Sequence, residues 1–580
     1  MGTIQSTIVV DRDVPCAMRD GTVLRGDVYR RSGEGRWPVL VHRTPYGKTH
    51  PSFVTSLMFH PFDAVERGYT VYVQDARGRF NSDGDWIPIH GERDDGYDTV
   101  EWASAQPWSN GKVGVYGSSY MGVTALQALA SRPPHLAAGV VYMTGANYYD
   151  GWVYSGGALE LLFVLRWCAG QAMDTLRRSD MRDKDRAAVR DRLVWILDHP
   201  QEASRFRPLI DVFGSADLLV PHWRTWLEHP EYDAFWQAAD PLIRVAEAGI
   251  PILNIAGWYD GFLKGHIDLH DALTKARFGR SDRPHEDLIL GPWDHEAYLS
   301  LRPSTAGDAS FGVRAVAGQP GFGSTILDWF DRWLGKTRED GTREGSTSRY
   351  FVIGANEWRS SKQWPPSTKM QRLYLSGSRA NSSAGSGRLE HEAPITSSIN
   401  AFVHDPGNPV PTVGGRHLGY WYGHAGIQNQ AAVEQRSDVL VFTSEPLSKP
   451  LTLAGAVQAE LYVQSTMQSA DFALKLVDVR PDGYCANVAD GIRRVNWPAG
   501  KASGNDVRKI AVDLWHSAYL FGAGHRLRLE IAGSNFPRFD VNDGIGGGSS
   551  VRAKAVSAPY EQKVLAGTQW PSSITVQLEG

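Results

Sequence analysis

Val113-Gly114-Val115-Tyr116-Gly117-Ser118-Ser119-Tyr120-Met121-Gly122 is the stretch from which the rest of the chain is read. An apolar run closes on a small residue, a serine follows between glycines, and a helix-forming run begins at Val123-Thr-Ala-Leu-Gln-Ala-Leu-Ala130. The order is strand, sharp turn, helix. Such a turn lifts a serine hydroxyl above the carboxyl edge of a sheet and sets backbone N–H groups of the helix beside it. Small residues are needed because the two backbones approach closely there. The pattern is G-x-S-Y-x-G, with its second glycine one position later than in the common nucleophile turn. A turn serine with no chemistry also fits the bare motif.

Working outward, residues 38–42 are a short apolar run that ends in the loop Arg43-Thr44-Pro45-Tyr46-Gly47-Lys48. Residues 69–75 are a second buried-strand pattern, followed by a polar, glycine-containing loop over 76–84, a helix pattern over 91–106 and, past the serine, a strand over 136–143. Strands alternating with helices predict a parallel sheet covered on both faces. Ahead of them, residues 7–36 alternate apolar and polar around the turn Arg19-Asp20-Gly21-Thr22, an antiparallel pair. The alternation stops near Ala146. Residues 147–245 carry helical patterns (159–178, 185–198, 230–248) and no convincing strand, which predicts a helical insertion. Strand and helix patterns resume over 250–257, 261–278, 287–290 and 326–334. Beyond about 345 the chain turns to short alternating strands between Gly, Pro, Ser and Asn clusters, an all-β sandwich pattern. The expected fold class is therefore α/β, in pieces 1–146 and 246–345, with a helical insertion at 147–245 and an all-β domain at 346–580.

Composition narrows the function classes. A chain of 580 residues exceeds one hydrophobic core, and a net charge of −4 without basic runs gives no reason to expect a nucleic-acid partner. Twenty tryptophans predict aromatic-lined pockets as well as large cores. Cys16, Cys168 and Cys485 lie far apart, so neither a disulfide framework nor a zinc site is expected and a reducing compartment fits. With no long apolar run and no secretory-type start, no membrane span and a cytoplasmic location are expected. Met1-Gly2-Thr-Ile-Gln-Ser6 matches the loose myristoylation pattern, which arises often by chance.

A serine nucleophile needs a base, and the base needs an orienting carboxylate. In an α/β-hydrolase these follow in the order Ser, Asp or Glu, His, each at the carboxyl end of a strand. The strand at 250–257 runs into Trp258-Tyr259-Asp260, and that at 287–290 into Gly291-Pro292-Trp293-Asp294-His295. Ser119, Asp260 and His295 thus have the required order and placement. Asp294 adjoins His295 too closely to point at the same imidazole, so Asp260 is preferred. His266 and His270, one helical turn apart, have zinc-ligand spacing but lack the glutamate of a metalloprotease helix, and read as ordinary surface histidines. Asn81, Asp83 and Asp85 loosely resemble a calcium loop, but Trp86 stands where the glycine belongs. No cofactor and no metal are expected. The oxyanion of an acyl transition state needs donors. The Tyr120 N–H should be one. Tyr46 could offer its phenol as another, or be a buried core tyrosine.

Several stretches together resemble the cocaine esterase/NonD acyl hydrolases, relatives of X-Pro dipeptidyl peptidases and α-amino-acid ester hydrolases. They are Arg43–Lys48, Asp75-Ala-Arg77-Gly78 with Ser82-Asp-Gly84, Gly117–Gly122, Gly257–Asp260, Gly291–His295 and Ser534-Asn-Phe-Pro-Arg-Phe-Asp540. The resemblance spans nearly the whole chain and implies an α/β-hydrolase domain, an inserted helical cap and a C-terminal jelly roll. It implies the Tyr46 hydroxyl and Tyr120 N–H as the oxyanion hole, with Trp152, Trp167 and Phe262 lining an aromatic acyl pocket that Leu418, Tyr420 and Trp421 approach from the jelly roll. Gly426-Ile-Gln-Asn-Gln430 departs from the family's Gly-Pro-x-Asp-Gln, so a different pocket rim is expected.

The aromatic residues favour a carboxylesterase for aromatic or apolar acyl groups. The alternatives are an α-amino-acid ester hydrolase or X-Pro dipeptidyl peptidase, which would need carboxylates to hold a substrate ammonium. Gly261-Phe262-Leu263-Lys264 after Asp260, and Met121 after Tyr120, supply none. Amidase or acyltransferase chemistry on the same serine stays open, as does a homodimer. An inactive glycan-binding or scaffold protein is the reading from another class, opposed by the intact Ser, Asp and His. The expected partner is a small-molecule ester or amide.

Overall fold

A computed structural model describes residues 7–50, 58–277, 286–299, 302–335, 347–418, 425–498, 506–548 and 551–580. The Met1–Ser6 pattern, Tyr420 and Trp421 lie outside the described residues.

The first sheet has ten strands among the described residues. In chain order they are β1 (Ile8–Ala17), β2 (Val23–Arg31), β3 (Trp37–Thr44), β4 (Thr70–Asp75), β5 (Ser109–Ser118), β6 (Leu136–Tyr142), β7 (Ile252–Tyr259), β8 (Glu286–Asp294), β9 (Thr347–Val352) and β10 (Glu357–Ser361). Their spatial order is β1-β2-β4-β3-β5-β6-β7-β8-β9-β10. From β4 to β9 every neighbouring pair is parallel, and the antiparallel hairpins sit at the edges. Every residue of β4 and β7 is buried. These strands are covered on both faces, so they read as continuous apolar runs, whereas the outer strand β1 alternates with exposed residues. This α/β-hydrolase architecture brings the ends of β3, β5, β7 and β8 to one edge.

Between β6 and β7 the chain leaves the sheet for a mainly helical segment. Leu161–Arg178 and Asp183–Asp198 are its long helices. Two differences from the sequence expectation have plain causes. A two-residue strand pair, Tyr154–Ser155 with Ala158–Leu159, turns through Gly156 and Gly157, both at positive φ, and is too short for a periodicity to show. The single helix expected over 230–248 is two, Ala234–Ala239 and Leu242–Ala248, because Asp240-Pro241 interrupts it.

The C-terminal region is a second sheet system, with eleven strands among the described residues, nearly all antiparallel, wrapped round a core that includes Leu461, Leu474, Leu529 and Ile574. It grips the other two parts through buried charge. Arg538 donates to both oxygens of Glu160 at the start of Leu161–Arg178 (3.2 and 3.1 Å) and also pairs with Asp490. Asp540 accepts the Leu159 N–H at 2.8 Å. Arg416, fully buried, donates to the carbonyl of Trp258 in β7 (2.8 Å) and to that of Leu514 (2.6 Å). Charges taken from water are tolerated only when paired, and removing one partner typically costs several kcal/mol. Arg416 and Arg538 therefore fix where the jelly roll sits against β7 and the cap. Cys16, Cys168 and Cys485 are buried and free.

Candidate active site

The β5 strand ends at Ser118 and the helix Ser119–Ser131 starts at the next residue. Ser119 has φ of +53° and Met143, at the end of the neighbouring strand, +44°. This is backbone that non-glycine residues rarely adopt, and it persists only where its surroundings over-determine it. The determinants are visible. Ser119 N–H donates to the Met143 carbonyl at 3.1 Å, and the Thr144 hydroxyl donates to the Ser119 carbonyl at 2.7 Å. The displaced glycine of the motif has its reason here. A Cβ on Gly122 would lie 2.5 Å from the Thr144 Cβ, and one on Gly117 2.0 Å from the Met121 carbonyl oxygen.

His295 follows β8 and Asp260 follows β7, so adjacent parallel strands deliver them together. His295 Nε2 is 3.1 Å from Ser119 Oγ, and its Nδ1 is 3.0 and 3.1 Å from the two oxygens of Asp260. Asp260 also accepts the Phe262 N–H at 2.8 Å, which fixes the carboxylate plane. The rival Asp294 turns the other way. It accepts from Arg302 at 2.8 Å and from the Glu296 N–H at 3.1 Å.

Tyr46 and Tyr120 flank the serine. The Tyr120 N–H lies in the first helical turn, where N–H groups have no intrahelical acceptor. Its ring is anchored away from the serine, the hydroxyl accepting from Ile89 N–H (2.7 Å) and donating to Glu92 (3.1 Å). The Tyr46 oxygen accepts the Trp167 indole N–H at 3.0 Å and shares a hydrogen bond with the Ser119 side chain. Burial pushes the Tyr46 phenol up to about 12, so it stays a donor at neutral pH. Arg79, buried in the loop after β4, holds this arrangement from behind. It donates to the Pro45 carbonyl (3.0 Å) and to both the carbonyl and the side chain of Gln171 (3.0 Å each), joining the Tyr46 loop to the helix that carries Trp167.

The aromatic residues converge on the same point. Phe262 stands edge-on to the His295 ring at 5.0 Å and stacks on Trp152 at 4.0 Å. Trp167 is stacked between Tyr120 (5.6 Å) and Trp226 (5.9 Å), with Trp86 leaning on it at 5.5 Å. Leu418 packs against this cluster and limits Gly261, where a Cβ would lie 2.8 Å from it. In Gly426–Gln430, Gly426 bridges Gly415 and Ile427 bridges Gly307. Gln430 is buried and bonds Lys475 and the Val413 carbonyl inside the jelly roll. Trp86, Phe163 (5.4 Å from the Phe262 ring), Trp226 and Arg79 escaped the sequence reading of the site. Only the tryptophan count hinted at the first and third.

Two further expectations need correction or placement. His266 and His270 are not surface residues. They are 1% and 6% exposed, and hydrogen-bond to Asn254 and Glu286. They lie on the buried side of their helix, Leu263–Arg277, which packs on β7. The Asn81–Asp85 segment is a structural turn in which Gly78 N–H bonds the Asp83 carbonyl and Asn81 bonds Asp13.

Residues 20–297 match the X-Pro dipeptidyl-peptidase (S15 family), and residues 341–575 match the X-Pro dipeptidyl-peptidase C-terminal non-catalytic domain. A cocaine esterase from Rhodococcus sp. is 33% identical over 579 residues, covering 98% of each chain. The chain belongs to the cocaine esterase/X-Pro dipeptidyl-peptidase (S15) family. It is a hydrolase of the S15 serine peptidase/esterase type. Solved structures share the whole fold. An aminopeptidase from a Thaumarchaeota archaeon superposes with a TM-score of 0.78 at 24% identity, covering 99% of this chain and 97% of that one. An α-amino acid ester hydrolase gives 0.75 at 22% identity, covering 100% and 98%. No helix among the described residues is long and apolar enough to cross a membrane.

Proposed function

We propose that this S15-family hydrolase is a serine carboxylesterase for aromatic or apolar acyl groups, working through an acyl-enzyme on Ser119. His295 Nε2 takes the Ser119 proton as Oγ attacks the acyl carbon. Asp260, bonded to Nδ1, holds the imidazole in the tautomer with Nε2 open and stabilises the imidazolium that forms. The tetrahedral oxyanion sits between the Tyr46 hydroxyl and the Tyr120 N–H. A phenol has one proton, and its oxygen already accepts from Trp167, so that proton is left for the serine side or the oxyanion. His295 then protonates the leaving alkoxide, and a water attacks the acyl-enzyme by the same route in reverse.

The observation that carries the ester reading is the aromatic wall at the triad, with Phe262 edge-on to His295 and stacked on Trp152. Rings of this kind favour a flat or apolar acyl group, each contact adding about 0.5–1.5 kcal/mol beyond its area. A panel of p-nitrophenyl benzoate and acetate, amino-acyl p-nitrophenyl esters and X-Pro anilides tests it. Benzoate should give the highest kcat/KM. A preference for the amino-acyl or X-Pro substrates would move the protein to the peptidase side of its family.

A further inference from the structure

A buried hydrogen-bond chain runs from the back of the Ser119 turn to the start of the C-terminal region, and every donor in it can be assigned. Thr144, whose hydroxyl holds the Ser119 carbonyl, donates its backbone N–H to His266 Nε2 at 2.7 Å. That nitrogen is therefore unprotonated, and the ring's proton is on Nδ1, facing Asn254 Oδ1. The Asn254 amide cannot be turned over, because its nitrogen donates to the His266 carbonyl (3.1 Å) and to Glu286 (3.0 Å). Glu286 accepts from His270 Nδ1 at 2.8 Å, and His270 Nε2 meets the Trp364 carbonyl at 3.0 Å. Both His270 nitrogens face acceptors, so His270 is an imidazolium beside a carboxylate. From Thr144 each donor points toward Glu286, which accepts from Asn254 on one side and from His270 on the other. Gly265 lets the helix come this close, since a Cβ there would lie 2.5 Å from the Ala146 nitrogen.

We propose that His266 is a positioning residue for the nucleophile, pinning Thr144 and through it the left-handed turn that aims Ser119 at His295. Two adjacent strand ends adopt positive φ here, Ser119 and Met143, and Thr144 is the residue that bonds across them. Among the described residues His266 is the acceptor of the Thr144 N–H, and Asn254, Glu286 and His270 fix its tautomer. Burial pushes His266 down to about 4, consistent with a neutral ring that accepts. The proposal rests on Ser119 being the nucleophile.

The test compares His266→Leu, which removes the acceptor, with His266→Gln, whose amide oxygen can reach the Nε2 position, and with Thr144→Val, which removes only the hydroxyl. The readouts are kcat and KM for a p-nitrophenyl ester, normalised to titrated active sites, the rate of fluorophosphonate labelling, and a melting curve. Losing an acceptor for a buried N–H should lower kcat and the labelling rate by about 10- to 100-fold with KM nearly unchanged in His266→Leu, and His266→Gln should recover most of it. Thr144→Val should lose roughly tenfold, the scale of one hydrogen bond. A role in stability alone would lower the melting temperature and leave kcat per titrated site intact, which overturns the proposal. So does a His266→Gln as impaired in kcat as His266→Leu. If His266→Leu does not fold, the other two decide. Gln near wild type with Val impaired supports the pin, and Val at wild-type rate overturns it. Ser119→Ala, run alongside, separates the two claims. Turnover by that variant removes the nucleophile reading itself, whereas a dead Ser119→Ala beside a fully active His266→Leu removes only the role of His266.

Discussion

The two sides of the serine are built by different means. Behind it, Ser119, Asp260 and His295 stand at the ends of adjacent or near-adjacent parallel strands and are fixed by directional bonds of 2.7–3.1 Å, among them those of Thr144 and Phe262. In front of it, Trp152, Trp167 and Phe262 come from the helical insertion and the turn after β7, and are fixed by stacking at 4.0–5.9 Å within a larger apolar cluster. The first side has one geometry and tolerates little change. The second is an area-weighted contact in which each ring shares the load. In the proposed enzyme the first should set kcat for every ester, and the second should set which ester is preferred.

The largest effect should come from the first side. Ser119→Ala should lower kcat by roughly 10⁴-fold or more, as loss of a covalent nucleophile does. Its melting curve should stay near wild type, because the hydroxyl contributes little packing. Near-normal turnover by the folded variant would break the comparison at its root. Asp260→Asn comes next. It keeps the shape but favours the wrong imidazole tautomer, which can cost about 10⁴-fold in kcat. Acetyl and benzoyl esters should suffer alike. A loss confined to benzoyl esters would mean that Asp260 acts through the Phe262 turn and not through His295.

The order of these effects follows how much of each side could be read in the sequence. The candidate triad is legible because three residues have to fall at three strand ends in one order, and strands announce themselves by local apolar runs. The Tyr46 loop was legible as a loop, but not its use, since whether a tyrosine is core or donor depends on a contact 121 residues away with Trp167. His266 and His270 show the limit most clearly. Their i, i+4 spacing is local, but the burial of that face is set by β7 and Asn254, so the sequence suggested solvent. Arg538 shows in the sequence only as part of a motif, and nothing local marks its partner Glu160, 378 residues away. What failed to show was long-range complementarity, and the acyl side consists of little else.

Tyr46 joins the two sides, and its effect should fall between theirs. Tyr46→Phe removes one of the two proposed oxyanion donors and should lower kcat by about 10²- to 10³-fold. The pH profile adds a sharper test. In the proposed mechanism the neutral phenol is the donor, and burial raises the Tyr46 pKa to about 12, so the donor form persists through the range where an exposed tyrosine near 10 would ionise. Wild-type kcat/KM should therefore hold level from pH 8 to 10.5 in enzyme that regains full activity on return to pH 8. A reversible fall centred near pH 10, absent in Tyr46→Phe, would show an exposed phenol and a looser front wall.

The smallest effect belongs to Trp167, where the two sides can be separated on a single residue. Its indole does two things: the N–H bonds Tyr46, and the ring stacks between Tyr120 and Trp226. Trp167→Phe keeps a ring and deletes the N–H. Since a net hydrogen bond is worth about 0.5–1.5 kcal/mol, kcat/KM should fall about 2- to 13-fold, and by the same factor for acetyl and benzoyl p-nitrophenyl esters, because the oxyanion is common to both. Trp167→Ala deletes the ring as well. It should add a loss for the benzoyl ester that the acetyl ester does not share, up to roughly tenfold given about 0.5–1.5 kcal/mol per ring contact. The benzoyl-to-acetyl ratio should thus stay constant in Phe and drop in Ala. If it drops in both, the N–H itself touches the acyl group. If it stays constant in both while the melting temperature falls, Trp167 holds the cap together and selects nothing, and acyl preference must then be set by Trp152 and Phe262, the stacked pair nearest His295.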